Sequence, residues 1–357
     1  MSWDTKPHDL LVGYKALTAG LVAPQVLTRT FLRCCAGEPF AQVLASEGKL
    51  SPPQALQLSQ SVAAPPPVQD VKPTPVRKVV QGIRCDLQVE AGEHWTRYVG
   101  KRQNDPQPVS VLHIHHDALR HGLWLDFLEA VRATQGLESL NLIPVLDVGR
   151  DDEGFAVVSR FFPGAMGLRR LLDRVVRLKL SEALRITREL AQGLVDLHAK
   201  GVSHRHLTPE SVVLTREGRV LVRDTGVVWE TPGSPRKATH YGEFHYMGPE
   251  CFKGGAPNPM SDIYALGVIC YEMATGTRPF EGDAFGQLQH QHDQIPPIKP
   301  HEILQDLPDT LSDLLVWLLS KAPAERPDAP KLVNVIKTLE RNIDRTGRTE
   351  RFQAFGH

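Results

Sequence analysis

The twelve residues from Ser203 to Leu214 (Ser-His-Arg-His-Leu-Thr-Pro-Glu-Ser-Val-Val-Leu) hold the side chains of this 357-residue chain best placed to do chemistry. His206 is the candidate base among them, because an unperturbed imidazole is about half neutral near pH 6.5. It is bulky and carries no negative charge with which to hold a hydroxyl proton, which counts against that role. A second group, His113, His115, His116 and His121, invites a metal reading, since imidazole is a common ligand. No cysteine or acidic set completes a metal site at recognisable spacing, so these four are expected to be solvent-facing loop histidines. The five cysteines (Cys34, Cys35, Cys85, Cys251, Cys270) are odd in number and show no CxxC spacing. Reduced, structural thiols are their simplest account, with Cys34-Cys35 in a core.

The elements that must position these groups follow from pattern and punctuation. Residues 8 to 60 read as short helices with an internal echo. Gly20-Leu-Val-Ala-Pro24 and Gly48-Lys-Leu-Ser-Pro52 share a spacing in which glycine ends one helix and proline opens the next. From Ser61 the chain carries Pro65, Pro66, Pro67, Pro73 and Pro75, which remove donors and favour extended backbone, so a semi-rigid linker is expected over 61–82. Alternating runs then predict strands at Cys85-Asp-Leu-Gln-Val, Thr96-Arg-Tyr-Val-Gly and Pro108 to Ile114. Helical spacing predicts helices over 122–136, 168–176, 181–200 (capped by Ser181), 311–319 and 330–343, with a loose polar tail from 344.

Lysine plus arginine equals aspartate plus glutamate (41 each), so no bulk field draws the chain to nucleic acid or to an anionic membrane. No apolar run approaches the roughly 18 residues that would span a bilayer. A cytoplasmic protein is expected.

The segment around His206 resembles the catalytic loop of bacterial, eukaryotic-like Ser/Thr protein kinases, H-R-D-L-K-P-E-N. His204, Arg205, Leu207, Pro209 and Glu210 match in order. His206 stands where that family has its catalytic Asp, Thr208 where it has a phosphate-facing Lys, and Ser211 where it has a metal-binding Asn. Further stretches agree. Leu137 to Gly149 follows the family's L-x-H-P-N-I-V-P-V-x-D-V-G, Phe155 to Gly164 its fifth strand and hinge with Ser159 near the gatekeeper, and Asp224-Thr-Gly226 its D-F-G. Gly248-Pro-Glu250 follows A-P-E, Asp262 to Gly267 the start of the central helix, and Glu325-Arg326-Pro327 a lower-lobe motif. The resemblance covers about residues 83 to 343. A second one, to the N-terminal helical module of the assembly ATPases of type II secretion and type IV pili, covers about 50 residues. Some members of that family bind a cyclic dinucleotide; a docking module without ligand is the preferred reading here.

The kinase resemblance implies an α+β, bilobal fold: a small β-rich lobe and a helical lobe over 83–343. A small all-α module over 1–60, the linker over 61–82 and a flexible tail over 344–357 complete the expected division. It also implies losses. Of the three glycines of the phosphate loop only Gly92 remains, with Glu90 and Trp95 at the other two positions. Leu112 replaces the lysine that pairs with the phosphates, and Ala130 stands at its partner glutamate. Asp224 is the retained acid able to bind magnesium, weakly if alone, with a hydrogen-bonded turn residue as the plainer role. Glu243 replaces a threonine that positions peptide substrate. Thr231, Ser234, Thr239 and Tyr241 are open to phosphorylation, with Arg205 as the partner of such a phosphate. Asp262 is expected to cap the central helix and hold the catalytic loop, and Arg326 to pair with Glu250.

Phosphoryl transfer rests on positioning and charge neutralisation, and these are what the substitutions remove. The sequence therefore reads as a pseudokinase, a scaffold or allosteric regulator in signalling whose partners are proteins such as an active kinase or its substrate. No cofactor is required on this reading. Two alternatives stay open: a sensor that binds ATP, with or without magnesium, and an active Ser/Thr kinase using atypical residues.

Overall fold

The computed structural model describes residues 73–92, 95–115, 123–226, 244–282, 284–304 and 306–346, with a few residues between 44 and 54. Most of the expected 8–60 module, Cys34-Cys35, Pro65 to Pro67, His116, His121, Thr231, Ser234, Thr239, Tyr241, Glu243 and the chain beyond 346 lie outside the described residues.

The first lobe is a six-stranded antiparallel sheet. Its strands are β1 (Thr74–Val80), β2 (Ile83–Ala91), β3 (Trp95–Arg102), β4 (Asp105–His115), β5 (Val145–Arg150) and β6 (Gly154–Arg160), in the order β1-β2-β3-β4-β6-β5. β4 is buried on both faces because alternate residues feed two cores. Leu112 and Ile114 pack with Val145, Phe155, Val157 and Val131, the last on helix α1 (Leu123–Thr134). Val109 and Val111 pack on the opposite face with Val80, Ile83, Cys85 and Tyr98. Each such fully buried aliphatic side chain contributes about 1.5–3 kcal/mol, which fixes the register that matters below.

The second lobe is helical. It is built on α2 (Leu168–Leu172), α3 (Leu180–His198), α4 (Pro249–Phe252), α5 (Pro259–Thr275), α6 (Phe285–Gln294), α7 (Pro300–Ile303), α8 (Asp309–Leu318) and α9 (Ala329–Thr346). Every residue of α5 from Ser261 to Thr275 is buried, so it is a central post with neighbours on all sides rather than an amphipathic surface helix. Gly267 admits α8 closely: a Cβ there would lie 2.7 Å from Leu318 Cβ.

Several expectations change. The last part of the expected linker is β1, the first strand in the sheet order, which tolerates Pro75 at its edge position, where the ladder shifts between Pro75 and Lys78. His113 and His115 are strand residues, not loop ones. His113 is fully buried and made tolerable there by its Nε2, 3.2 Å from Asp151 Oδ1; His115 is half-buried, with its ring near Thr96 Oγ1. Helix α2 stops at Leu172, where the N–H groups of Asp173 and Arg174 bond back to Arg169 and Leu171 and tighten the last turn. Helix α3 starts one residue before Ser181, with Lys179 at the cap position and no side-chain cap bond. Helix α5 is capped by Asn258, whose Oδ1 accepts from Met260 N (2.9 Å) and Ser261 N (3.3 Å), and not by Asp262. Helix α9 runs on to Thr346, into the expected tail.

Candidate functional site: the cleft between the lobes

Asp262, freed from capping, lies 1% exposed in the first turn of α5 and organises the loop before strand β7 (Val212–Leu214). Its carboxylate accepts from His204 N (2.7 Å) and Arg205 N (2.9 Å), and lies 2.8 Å from His198 Nε2. These bonds hold Arg205 at φ +71°, a left-handed backbone that needs such support. His204 is fully buried with Nε2 2.9 Å from the carbonyl of Arg223, and burial holds its pKa below the ordinary imidazole value despite Asp262 nearby. The loop is therefore pinned from below by Asp262 and from the side by the segment that carries Asp224.

Thr208, Ser211, Leu112 and Ala130, the positions around this pinned loop where the kinase resemblance implies charged or metal-binding groups, carry no charge. Thr208 and Ser211 close on each other: Ser211 Oγ donates to Thr208 O (2.8 Å) and accepts from Thr208 N (3.2 Å), both residues being buried. His206 is half-buried beside them. Leu112, 1% exposed, belongs to the apolar cluster under the sheet. Ala130 lies against Gly226. A Cβ on that glycine, whose φ is +76°, would meet Ala130 at 3.1–3.2 Å, so the turn after Asp224 packs directly on α1. At the β2–β3 turn Gly92 N donates to Trp95 O (2.9 Å), and the Trp95 indole lies over Gly92, 2.3 Å from where a Cβ would be.

Among the described residues, Glu90, Arg97, Arg223 and Asp224 bring their charges together in the cleft. The sheet register explains how: Glu90 on β2 faces Arg97 on β3, Arg97 faces Leu112 on β4, and Leu112 faces Val157 on β6. This row of cross-strand neighbours shares one side of the sheet. Arg97, 5% exposed, sends Nη2 to Asp224 Oδ2 (2.6 Å) and Nε to Glu90 Oε2 (2.9 Å). Arg223 sends Nη2 to Glu90 Oε1 (3.0 Å) and Nε to the carbonyl of Glu210 (3.1 Å); its Nε lies 3.6 Å from Asp224 Oδ2. Glu90 and Arg97 belong to the sheet, Arg223 and Asp224 to the helical lobe, so the four charges bridge the lobes. Burial pushes the Asp224 and Glu90 carboxyls up, but the two guanidiniums outweigh it and hold both below the usual carboxylate range. The same carboxylates hold Arg97 charged against a burial that acts the other way. Asp224 itself has φ +62°.

A magnesium-bound triphosphate does not fit this donor set. Asp224 Oδ2 already accepts from a guanidinium, Ser211 Oγ is spent on Thr208, and the lysine position is apolar. Among the described residues no group of three or more His, Cys, Asp or Glu gathers as for a metal. Arg97 and Arg223 escaped the reading of the sequence. The signal was an arginine at a strand position between residues whose neighbours are buried, legible only once its partner in the ladder is known. Further from the cleft, Arg326 and Glu250 form a two-pronged ion pair at 2.8 Å and 2.8 Å, which anchors α4 to the turn before α9.

Residues 92–335 match the protein kinase domain. A Clostridium perfringens protein named "Probable serine/threonine-protein kinase" is 32% identical over 60% of this chain and 31% of its own. The DNA damage-responsive serine/threonine-protein kinase RqkA of Deinococcus radiodurans is 31% identical over 61% of this chain and 33% of its own. The serine/threonine-protein kinase PkaB of Streptomyces coelicolor is 33% identical over 65% of this chain and 57% of its own. The chain thus spans between about a third and a little over half of the length of these relatives.

Proposed function

The chain belongs to the protein kinase family, and on that premise we propose that it is a non-catalytic member, a pseudokinase that acts in signalling as a scaffold or allosteric regulator through protein partners. One observation carries the reading: the acid that the family uses for magnesium, Asp224, is engaged by Arg97 at 2.6 Å. Leu112 in an apolar core and Ala130 against Gly226 support it from the other side of the cleft. Removing several charge-neutralising groups together leaves phosphoryl transfer without the terms that drive it.

The partner is a protein, an active kinase or one of its substrates. The 1–60 module forms a second docking surface, the proline-rich stretch before β1 joins it to the kinase-like domain, which takes in β1 and runs to the end of α9, and the residues after Thr346 form a tail. The balanced charge supports a protein rather than a nucleic-acid partner. Cys85, Cys251 and Cys270, none of them in a disulfide, suit a reducing cytoplasm, and no described helix is long and apolar enough to cross a membrane.

The names of the relatives favour a second reading, an active Ser/Thr kinase with atypical residues in which His206 serves as base. A thermal-shift titration with ATP, with and without Mg²⁺ or Mn²⁺, separates the two. A ligand at about 100 times its Kd adds roughly 2.7 kcal/mol, which is several degrees for a domain of this size. No metal-dependent shift at millimolar ATP is expected. A metal-dependent shift together with steady phosphotransfer that Asp224→Ala abolishes would overturn the non-catalytic reading.

A further inference from the structure

We propose that the cleft is an anion site kept filled by its own chain. The Glu90 carboxylate occupies the paired guanidiniums of Arg97 and Arg223, and a phosphate-bearing ligand takes its place without any divalent cation. The proposal deepens the non-catalytic reading and rests on it, since it concerns binding and no transfer step.

The two carboxylates of the cluster are not equivalent. Asp224 is the inner one, its side chain 18% exposed and bound to Arg97 Nη2, whereas Glu90 lies at the mouth, its side chain 36% exposed, two residues before Gly92. Glu90 Oε2 bridges the two cations, 2.9 Å from Arg97 Nε and 2.9 Å from Arg223 Nη2. A single oxygen shared by two guanidiniums is an arrangement that a phosphate oxygen reproduces, and arginine is the side chain best suited to hold phosphate by paired N–H groups. With Glu90 withdrawn, two cations face one carboxylate, and Arg97 at 5% exposure is left partly uncompensated. A buried charge in that condition is costly, so an incoming anion is favoured. A divalent ion is not called for, because Arg97 already supplies the positive charge beside Asp224.

The same geometry explains why the site does not advertise itself. A carboxylate fixed on a strand competes at the effective concentration of a tethered ligand, millimolar or higher for short tethers. A free anion has to displace it. Trp95 folded over Gly92 narrows the same mouth, and its ring lies 5.8 Å from the Arg97 guanidinium.

The test uses the full chain, EDTA, and inorganic pyrophosphate as the probe in isothermal titration calorimetry. Glu90→Gln is expected to bind pyrophosphate at least tenfold more tightly than the unaltered protein. Adding Arg223→Met to that variant is expected to cancel the gain. Glu90→Asp, which keeps the charge but withdraws it by one methylene, is expected to fall between, and it replaces Glu90→Gln if circular dichroism shows the latter unfolded. ATP in EDTA should follow the pyrophosphate series, while adenosine should show no such ordering. An affinity unchanged in both Glu90 variants, a gain that survives Arg223→Met, or binding that requires Mg²⁺ would each overturn the proposal. These failures are separate from that of the non-catalytic reading, which falls on phosphotransfer by the unaltered protein.

Discussion

Leu112→Lys puts a lysine where the kinase resemblance implies one, and it is expected to harm the protein rather than repair it. The side chain is 1% exposed among Ile114, Val131, Val145, Phe155 and Val157. Position 130, where the resemblance implies a glutamate to receive an ammonium, holds Ala130, packed close against Gly226. Keeping a lysine neutral at pH 7 against a reference pKa of about 10.4 costs about 1.36 kcal/mol for each of roughly 3.4 pH units, or about 4.6 kcal/mol. Lost leucine burial adds a part of its ~1.5–3 kcal/mol, the rest being offset by the lysine stem. A total of about 5 kcal/mol is comparable with the whole stability of a domain. At ~2–4 °C per kcal/mol for a domain of this size, the melting temperature should fall by at least about 10 °C. The acids within reach of the sheet's inner face are engaged by Arg97, the residue facing Leu112 in the ladder. The double variant Leu112→Lys with Arg97→Leu moves the cation by one strand, and it should melt above Leu112→Lys alone. Differential scanning calorimetry reads both. A single variant melting within about 2 °C of the unaltered protein would refute the closed apolar pocket, and a double variant melting below the single one would refute the competition between the two cations.

Two further outcomes test the scaffold. Arg326→Met leaves the Glu250 carboxylate partly buried without its two-pronged partner, which should cost about 3–5 kcal/mol in urea unfolding. The double variant with Glu250→Gln should cost less than the sum of the single ones; strict additivity would show that the pair is not coupled. On pH, burial holds the imidazoles of His204 and His292 below the ordinary histidine range, with Lys321 reinforcing the effect at His292. Their folded pKa values lie below the unfolded ones, so the stability they contribute is complete above about pH 6.5 and is lost as pH falls below it. The unfolded chain takes up as many as two protons that the folded one refuses, a slope of up to about 2.7 kcal/mol per pH unit. Urea midpoints that stay level from pH 7.5 to pH 5.5 would refute this.

The parts legible in the sequence are those where local pattern and internal partners coincide. The strand alternation from Cys85 to Ile114, the loop around His204 and the pair Glu250–Arg326 could be placed because each has one arrangement that satisfies its backbone or charge. Asp262 was half legible: its hold on the loop is as expected, yet the cap belongs to Asn258, whose short side chain sits where extended backbone turns into helix. His113 misled because a histidine-rich run looks like a loop until Asp151, which accounts for its burial, is brought to it by the β5–β6 turn. Arg97 and Arg223 were illegible for a deeper reason. Arg97 lies 127 residues from Asp224 and Arg223 lies 133 from Glu90, and no local spacing encodes a bond made across two lobes.

That long-range network changes what the retained Asp224 means. A buried carboxylate must have a cation beside it, whatever its history. In a chain with a lysine at position 112 and a magnesium nucleotide in the cleft, those would be its cations. Here Leu112 removes one and the donor set does not fit the other, yet replacing Asp224 by an apolar residue would strand Arg97 at 5% exposure. Retention of the acid is therefore required by Arg97 alone, and cannot by itself count as a sign of metal binding. The dependence runs both ways, since Arg97 could not occupy the sheet's inner face without Asp224 and Glu90. The three residues form one unit, Arg97 held by both carboxylates, and that unit joins the two lobes through charge.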